Sequence, residues 1–291
     1  MNNPGPTGNI AGVTVFYNPC PEYVENILAY RDSVAVVYVV DNSEHPDTEI
    51  AERLAAVANV IYLRNNRNLG IAEALNMAAE RALAAGYDYL LTMDQDSVVT
   101  PGMVEALLAC LDRAGREEVG IVTPRHQHGA TIAPVVGECC DVDVAMTSGN
   151  LLNLKAYQRA GAFRNDYFID YVDHEYCLRL RLHGYRIIQA NHAILRHQLG
   201  AMTWHRLLHR RIKVCNHPPI RRYYGFRNRF YFYRQYGKLF PGSFRHFYRD
   251  LFLELVTLFL FEQRPLAKLR MMLRGYLDYR RGVSGRYEGR P

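Results

Sequence analysis

The chain has 291 residues and a net charge of +6 that is unevenly placed: residues 1–195 carry 14 basic and 24 acidic side chains, residues 196–291 carry 21 and 5. An apolar content of 49% with 22% charged residues excludes a disordered chain, and the charge asymmetry points to an anionic partner. The longest apolar run, Leu251–Phe261, is broken by Glu254 and falls short of the ~20 residues of a membrane span, while six cysteines (Cys20, Cys110, Cys139, Cys140, Cys177, Cys215) without C-x-x-C spacing exclude a disulfide scaffold or zinc site and suit a reducing compartment.

Residues 1–10, rich in Gly, Pro and Asn, read as a frayed end without the marks of a signal peptide. Short apolar, β-branched runs predict buried strands at 11–17, 34–40, 59–64, 87–93 and 120–124. Helices are expected at 22–30, 71–85 and 101–113, with Pro101 at the first helical position of the last. This alternation predicts a mostly parallel central sheet flanked by helices. Beyond residue 125 the pattern loosens. A strand running into a glycine turn is expected over 142–153, a helix over 171–183, a strand over 185–190, and basic, aromatic helices past residue 200, including 244–261 and 266–279.

Ligands of open α/β sheets bind beyond the carboxyl ends of the strands. There the second strand delivers Asp41, the third Asn65 to Gly70, and the fourth Asp94 and Asp96. No G-x-G-x-x-G or Walker loop is present. Asp94-x-Asp96 would place two hard oxygen ligands on one side of an extended segment, suited to Mg²⁺ or Mn²⁺; a solvated turn with a capping Asp is the plain alternative. Asn68 and Gly70 open the 71–85 helix, where free N–H groups could meet a phosphate, or they form an ordinary glycine turn. Asp41 could accept from a ribose or base, or simply brace Asn42-Ser43. At the head of the 171–183 helix, Asp170 and Asp173 have capping spacing, and Glu175 and Arg179 read as a surface i,i+4 pair. Asp173 lies among Phe168, Tyr171 and Tyr176 in the sequence, a setting expected to raise its pKa and suit it to general-base work. His197, after the last strand, could be a third metal ligand or an ordinary histidine.

The ordered set of Asp41, Asn68-x-Gly70, Asp94-x-Asp96, Ser148-Gly149-Asn150, Asp173-x-Glu175-x-x-x-Arg179 and His197 resembles glycosyltransferase family 2. The segments NNRNLGIAEALNMA, MDQDS and DYVDHEYCLRLRLHGY look most like its bacterial rhamnosyltransferase branch, as does HPPIRRYYGFRNRFYFYR at 217–234. The resemblance implies the GT-A nucleotide-diphospho-sugar transferase fold with a C-terminal helical extension: a disordered end at 1–10, a catalytic domain at 11–200 and a basic, aromatic-rich helical region at 201–291. By position, Asp41, Asn68, Gly70 and Asp94 would bind the donor, Asp94, Asp96 and His197 the metal, and Asp173 would be the base. The family often writes the base site Glu-Asp-x-Asp; here it is Val172-Asp173-His174-Glu175.

These readings predict an inverting transfer dependent on Mg²⁺ or Mn²⁺, with dTDP-L-rhamnose as the favoured donor and UDP-galactofuranose or a UDP-hexose as alternatives. The acceptor would be a glycan or lipid-linked glycan of a cell-surface polysaccharide or lipopolysaccharide. Arg222 and Tyr223, with Arg221, Tyr224 and Arg227, are expected to close over donor or acceptor phosphates. The basic helices either pack with solvated faces or meet an anionic membrane, which would put the protein in the cytoplasm or on the inner face of the cytoplasmic membrane. A non-catalytic nucleotide-sugar-binding protein is the alternative of another class. Nucleic acid is not expected, since the aromatics recur at helical spacing.

Overall fold

The structure, a computed structural model, describes residues 9–127, 135–197, 202–207 and 210–289, with the backbone alone at 197, 202–207, 210–213 and 215. It divides into two compact units: Met1–Asn165 with Val172–Gln198, and Asp166–Tyr171 with Leu199–Pro291.

The first unit begins with β1 (Ile10–Phe16), α1 (Tyr23–Leu28), β2 (Val36–Asp41), α2 (Thr48–Ala55), β3 (Val60–Arg64), α3 (Ile71–Ala84), β4 (Tyr89–Asp94), β5 (Ser97–Val99) and α4 (Met103–Ala114). It continues with β6 (Val119–Gln127), β7 (Cys139–Asp141), β8 (Asn150–Asn153), α5 (Leu154–Ala160), α6 (Val172–Leu182) and β9 (Arg186–His197). One sheet runs in the order β3-β2-β1-β4-β8-β6-β9-β5, with β7 pairing β9. β1 and β2 are buried along their whole length, as strands covered on both faces must be. Their apolar runs leave only the strand ends polar, which is why Asp41 and Asp94 fall where the chain leaves the sheet.

The sheet is mixed. β3, β2, β1 and β4 are parallel, but β8 runs antiparallel to both β4 and β6, and β5 antiparallel to β9. The 142–153 expectation is corrected: the strand follows the glycine turn instead of preceding it. Gly149 has φ 83, and a Cβ there would lie 2.5 Å from Pro124 Cγ and 2.9 Å from Leu195 Cδ2, so the turn closes only on glycine. Pro101 precedes the α4 N-cap, Gly102, and is not its first residue. α2 escaped the sequence reading although Asp47 caps it, accepting from the backbone N–H of Glu49 and Ile50. Cys110 of α4 and Cys139 of β7 form a disulfide, with Cα atoms 6.0 Å apart and a sequence separation of 29. The expectation of a reducing compartment, drawn from local spacing, does not foresee this bond.

The second unit contains an antiparallel hairpin of β10 (Met202–Leu207) and β11 (Arg210–Cys215), then α7 (Pro219–Tyr236), α8 (Phe247–Phe261) and α9 (Pro265–Arg280). The hairpin corrects the expectation of helix alone past residue 200. α7 and α9 approach closely because Gly275 has no side chain: a Cβ there would lie 2.6 Å from the Tyr223 carbonyl oxygen. Arg222 bridges Glu254 of α8 and Glu262, Glu262 also takes Lys268 at 2.8 Å, and Arg229 takes Glu254 at 2.5 Å. Glu262 and Lys268 have side chains only 1% and 3% exposed. α8 buries Leu258 and leaves Tyr248, Phe252, Leu253, Phe259 and Leu260 exposed. No helix among the described residues is long and apolar enough to cross a membrane.

Candidate active site

Asp41 ends β2 and is fully buried. Its Oδ1 accepts from the Ser43 N–H at 2.8 Å and its Oδ2 from the Tyr62 hydroxyl at 2.5 Å. Burial and this bond push the Tyr62 hydroxyl pKa well up, so Tyr62 remains the donor. Asp41 thus braces its own turn, and a nucleoside would share lone pairs already in use. The same corner fixes the α3 entry. Asn42 Nδ2 donates to the Gly70 carbonyl at 3.0 Å, Asn65 Nδ2 to Asn42 Oδ1 at 2.9 Å, and the Gly70 N–H to Asn68 Oδ1 at 2.9 Å. Asp41, Asn68 and Gly70 are therefore brought together. Gly70 caps α3 with φ 84 and no side-chain bond, so the helix dipole and N–H groups meet no carboxylate of a capping residue.

Asp94 and Asp96 are both half-buried. The expectation that they share an extended segment is corrected: residues 95 and 96 form a turn, because the chain must leave β4, inside the sheet, for β5 at its edge. Gln95 ties that turn to the end of β1, accepting from the Tyr17 N–H at 2.9 Å. Ser148 Oγ accepts from the Asp94 N–H at 3.0 Å and donates to Ser97 Oγ at 2.8 Å. His126 Nε2 meets the Ser148 carbonyl at 2.8 Å. The turn 148–150 is therefore the floor of the two aspartates. Ser97 pairs with His197 across β5 and β9, so the backbone sets His197 opposite the residue that follows Asp96; the His197 side chain lies outside the described residues. Among the described residues no three His, Cys, Asp or Glu side chains gather as a metal cluster. Two carboxylates on a turn still fit a hard cation that completes its shell with phosphate oxygens and water.

Asp173 is the second residue of α6, with its side chain 23% exposed. It lines a small cavity with Thr92, Thr147, Asn150, Tyr176 and Cys177. The expected upward pKa shift is corrected. Burial does push the carboxyl up, but the His174 ring, its hydrogen bond and the backbone N–H groups outweigh it and hold the group below its ordinary value. His174 Nδ1 and the His174 N–H both meet Asp173 Oδ1 at 2.8 Å. Asp173 is thus ionised at neutral pH. Its neighbour Cys177 is pushed up to about 12 by burial and holds no thiolate for nucleophilic work. The Glu175–Arg179 pair is not on the surface: Glu175 is fully buried, 3.0 Å from Arg179 Nη2, and Arg179 also donates to the Ala160 and Ala162 carbonyls. Asp170 does not cap α6. It has φ 64 and is gripped by Arg221.

Arg222 and Tyr223 are likewise corrected. Arg222 is spent on Glu254 and Glu262, and the fully buried Tyr223 donates to Asp278 Oδ2 at 2.9 Å. Both are interior groups of the second unit and present no donor to a phosphate. Among the residues that brace the loops, the sequence reading names Asn42 and Asn65 only as parts of their turns and passes over Tyr62, Ser97 and His126. The polar run NNRN was the one visible signal, since the others bond across strands far apart in the chain.

A family model described as "Glycosyl transferase family 2" matches residues 13–136. Residues 13–136 thus resemble a family 2 glycosyltransferase domain. A curated relative, the dTDP-rhamnosyl transferase RfbF of Shigella flexneri, is 26% identical over 249 residues, covering 78% of this chain and 80% of that protein. Among solved structures, GalNAc-T7 crystallised with UDP, GalNAc and Mn²⁺ superposes with a TM-score of 0.56 at 14% identity, over 66% of this chain and 44% of that one. S. aureus TarS gives 0.52 at 15%, over 65% and 36%, and its 1–349 fragment 0.52 at 12%, over 94% and 72%. The chain therefore spans less than half the length of the first two structures. The structural likenesses show a GT-A fold, with its mixed central sheet.

Proposed function

We propose that the enzyme is an inverting, metal-dependent rhamnosyltransferase that moves L-rhamnose from dTDP-L-rhamnose onto a glycan of a cell-surface polysaccharide or lipopolysaccharide. The observation that carries the reading is Asp173, an ionised, half-buried carboxylate in the same unit as the Asp94–Asp96 turn. The donor is favoured by the relative named for dTDP-rhamnosyl transfer.

In this mechanism Asp173 accepts the proton of an acceptor hydroxyl brought within about 3 Å. The freed oxygen attacks the anomeric carbon from the face opposite the leaving group. The bond to the diphosphate oxygen breaks, the nucleoside diphosphate departs, and the configuration inverts in one displacement. Asp94, Asp96 and His197 would hold the cation, which when bound neutralises charge on the departing diphosphate. The Asn68–Gly70 turn faces the nucleotide with the free N–H groups of α3, and Asp41 with Tyr62 keeps that corner in register. Ser148 holds the Asp94 backbone, so the leaving-group side is set by the sheet and not by a loose loop.

A transfer assay over a panel of nucleotide sugars with Mg²⁺ or Mn²⁺ tests this. Turnover should be greatest with dTDP-L-rhamnose and stop with chelator. Asp173→Asn should cost about 10²–10⁴-fold in kcat, the range for a general base, while donor binding survives. A preference for UDP-galactofuranose or a UDP-hexose would replace the donor and leave the reaction class intact. Full activity of Asp173→Asn would remove the base.

We also propose that the protein rests on the inner face of the cytoplasmic membrane. The exposed apolar side chains of α8, with Arg245 and Arg249 at its start, fit an interfacial helix on anionic lipid. Co-sedimentation with anionic vesicles, released by high salt, is the expected result; equal recovery with neutral vesicles would argue against it.

A further inference from the structure

β1 and β4 lie side by side in the sheet, paired in register from Ile10 with Tyr89 to Val15 with Asp94. Two residues further, that register would set Tyr17 opposite Asp96. The main chain does not continue it, because residues 95 and 96 form a turn. The side chain of Gln95 continues it instead. Its Oε1 accepts from the Tyr17 N–H at 2.9 Å, and its Nε2 donates to the Tyr17 carbonyl at 3.3 Å. A primary amide offers both the donor and the acceptor of a peptide unit, so a side chain extends the contact between β4 and β1 past the last paired residue. The backbone carbonyl of the same residue is held as well: Asn26 Nδ2, on α1, donates to it at 2.8 Å.

Both anchors are themselves fixed. α1 buries Val24 and Ile27, so Asn26 rides on packed core. Past Tyr17, Asn18 has φ 45, and its N–H donates to Ser43 Oγ at 2.8 Å, while the Ser43 N–H donates to Asp41 Oδ1 at 2.8 Å. Three hydrogen bonds therefore fix the residue that lies between the two carboxylates, and every partner belongs to the same compact unit. A turn that only joined β4 to β5 would not need its middle side chain tied to a third strand.

We infer that Gln95, with Asn26, is a positioning residue for the cation: it holds the 94–96 turn so that the Asp94 and Asp96 carboxylates are in place before the ion arrives. This rests on Asp94 and Asp96 holding the cation, as proposed above. Gln95 itself offers the ion no oxygen, since its Oε1 is engaged by the Tyr17 N–H and its carbonyl by Asn26. A turn released from β1 and α1 would leave the two carboxylates free to part, and the ion would have to gather them at a cost in chain entropy. Groups that orient metal ligands without touching the metal cost about 10–100-fold in metal affinity when removed.

The test is a titration of the full chain with Mn²⁺, read from the electron paramagnetic resonance signal of the free ion and corrected for folded fraction by circular dichroism. It compares the parent with Gln95→Met, Asn26→Ala and Asp96→Asn. Methionine keeps the length of glutamine and removes both amide bonds. Support is an Mn²⁺ affinity lower by about tenfold or more in Gln95→Met, at a urea midpoint close to the parent's. An unchanged affinity overturns the inference, and so does a loss of affinity that comes with a collapse of the urea midpoint, which marks general loosening. If Gln95→Met does not fold, Asn26→Ala decides: it frees only the Gln95 carbonyl, and a lowered Mn²⁺ affinity supports positioning, while an unchanged one overturns it. Mn²⁺ binding that Asp96→Asn leaves intact defeats the cation reading and the inference with it. Binding lost in Asp96→Asn but kept in the Gln95 and Asn26 variants defeats the positioning role alone.

Discussion

Gly149→Ala separates two costs that usually come mixed. The backbone there has φ 83, and the added methyl would meet Pro124 Cγ at 2.5 Å and Leu195 Cδ2 at 2.9 Å, both part of the packed sheet. The left-handed backbone costs an L-residue about 1–2 kcal/mol, and forcing a methyl into a closed site roughly 1–3 kcal/mol more. Gly86 has the same φ, 83, with nothing within 4 Å of the added methyl, so Gly86→Ala isolates the first cost. Urea unfolding followed by circular dichroism should show Gly149→Ala destabilised beyond Gly86→Ala by about 1–3 kcal/mol. Relief by sliding the turn would also displace Ser148, which holds the Asp94 N–H and Ser97 Oγ. Gly149→Ala should therefore lose transfer activity per folded molecule, whereas Gly86→Ala should not. Equal stability of the two variants, with equal activity, would refute the claim that the 148–150 turn is a sterically closed floor for the aspartates.

Tyr62→Phe removes the hydrogen bond to buried Asp41 Oδ2 and should cost about 1–3 kcal/mol, with a raised donor KM; a neutral effect in both measurements would detach this corner from the nucleotide. Glu262→Gln strips Arg222 and Lys268 of their shared counter-ion and should cost about 3–5 kcal/mol in urea unfolding. Glu262→Leu with Lys268→Met should lose less than that, because no buried charge is then left alone; a larger loss in the double variant would contradict this. Because the folded Asp173 carboxyl lies below its unfolded value, its contribution to stability is complete above the ordinary Asp pKa of about 3.9 and is lost as pH falls through the lowered one. Asp173→Asn should flatten the acid limb of the stability curve there, and identical limbs in the two proteins would count against the shift.

The strands and the residues at their ends were legible because a parallel sheet advertises itself as short β-branched runs, and polar residues at such ends have few structural excuses. Asp41, Asn68 to Gly70 and Asp94 could be placed at strand ends this way. Their surroundings could not. The Asp173 shift reverses sign on a single neighbour, His174, whose ring orientation no spacing rule gives. The pairing of Glu175 with Arg179 followed helix periodicity, but its burial depends on the segment after α5, which periodicity does not place. Arg222 and Tyr223 misled for a related reason. Arginine and tyrosine are written alike whether they grip a phosphate or a carboxylate, and the acids that claim them, Glu254, Glu262 and Asp278, come 32 to 55 residues later. The β10–β11 hairpin lay in a stretch of basic and apolar residues with no alternation strong enough to declare strand.

The inward placement of those acids has a kinetic consequence. The basic third holds only five, and Glu254, Glu262 and Asp278 are turned inside, leaving Asp250 and Glu288 to temper its exterior. Toward solvent the basic third therefore offers a field of nearly one sign. Such a field acts at range, before any contact forms, and is felt over roughly 8 Å at physiological ionic strength. Encounter with a polyanion or an anionic sheet of lipid should thus be fast in dilute buffer and slow steeply as salt is added, while the rate of departure, governed by local contacts, changes far less.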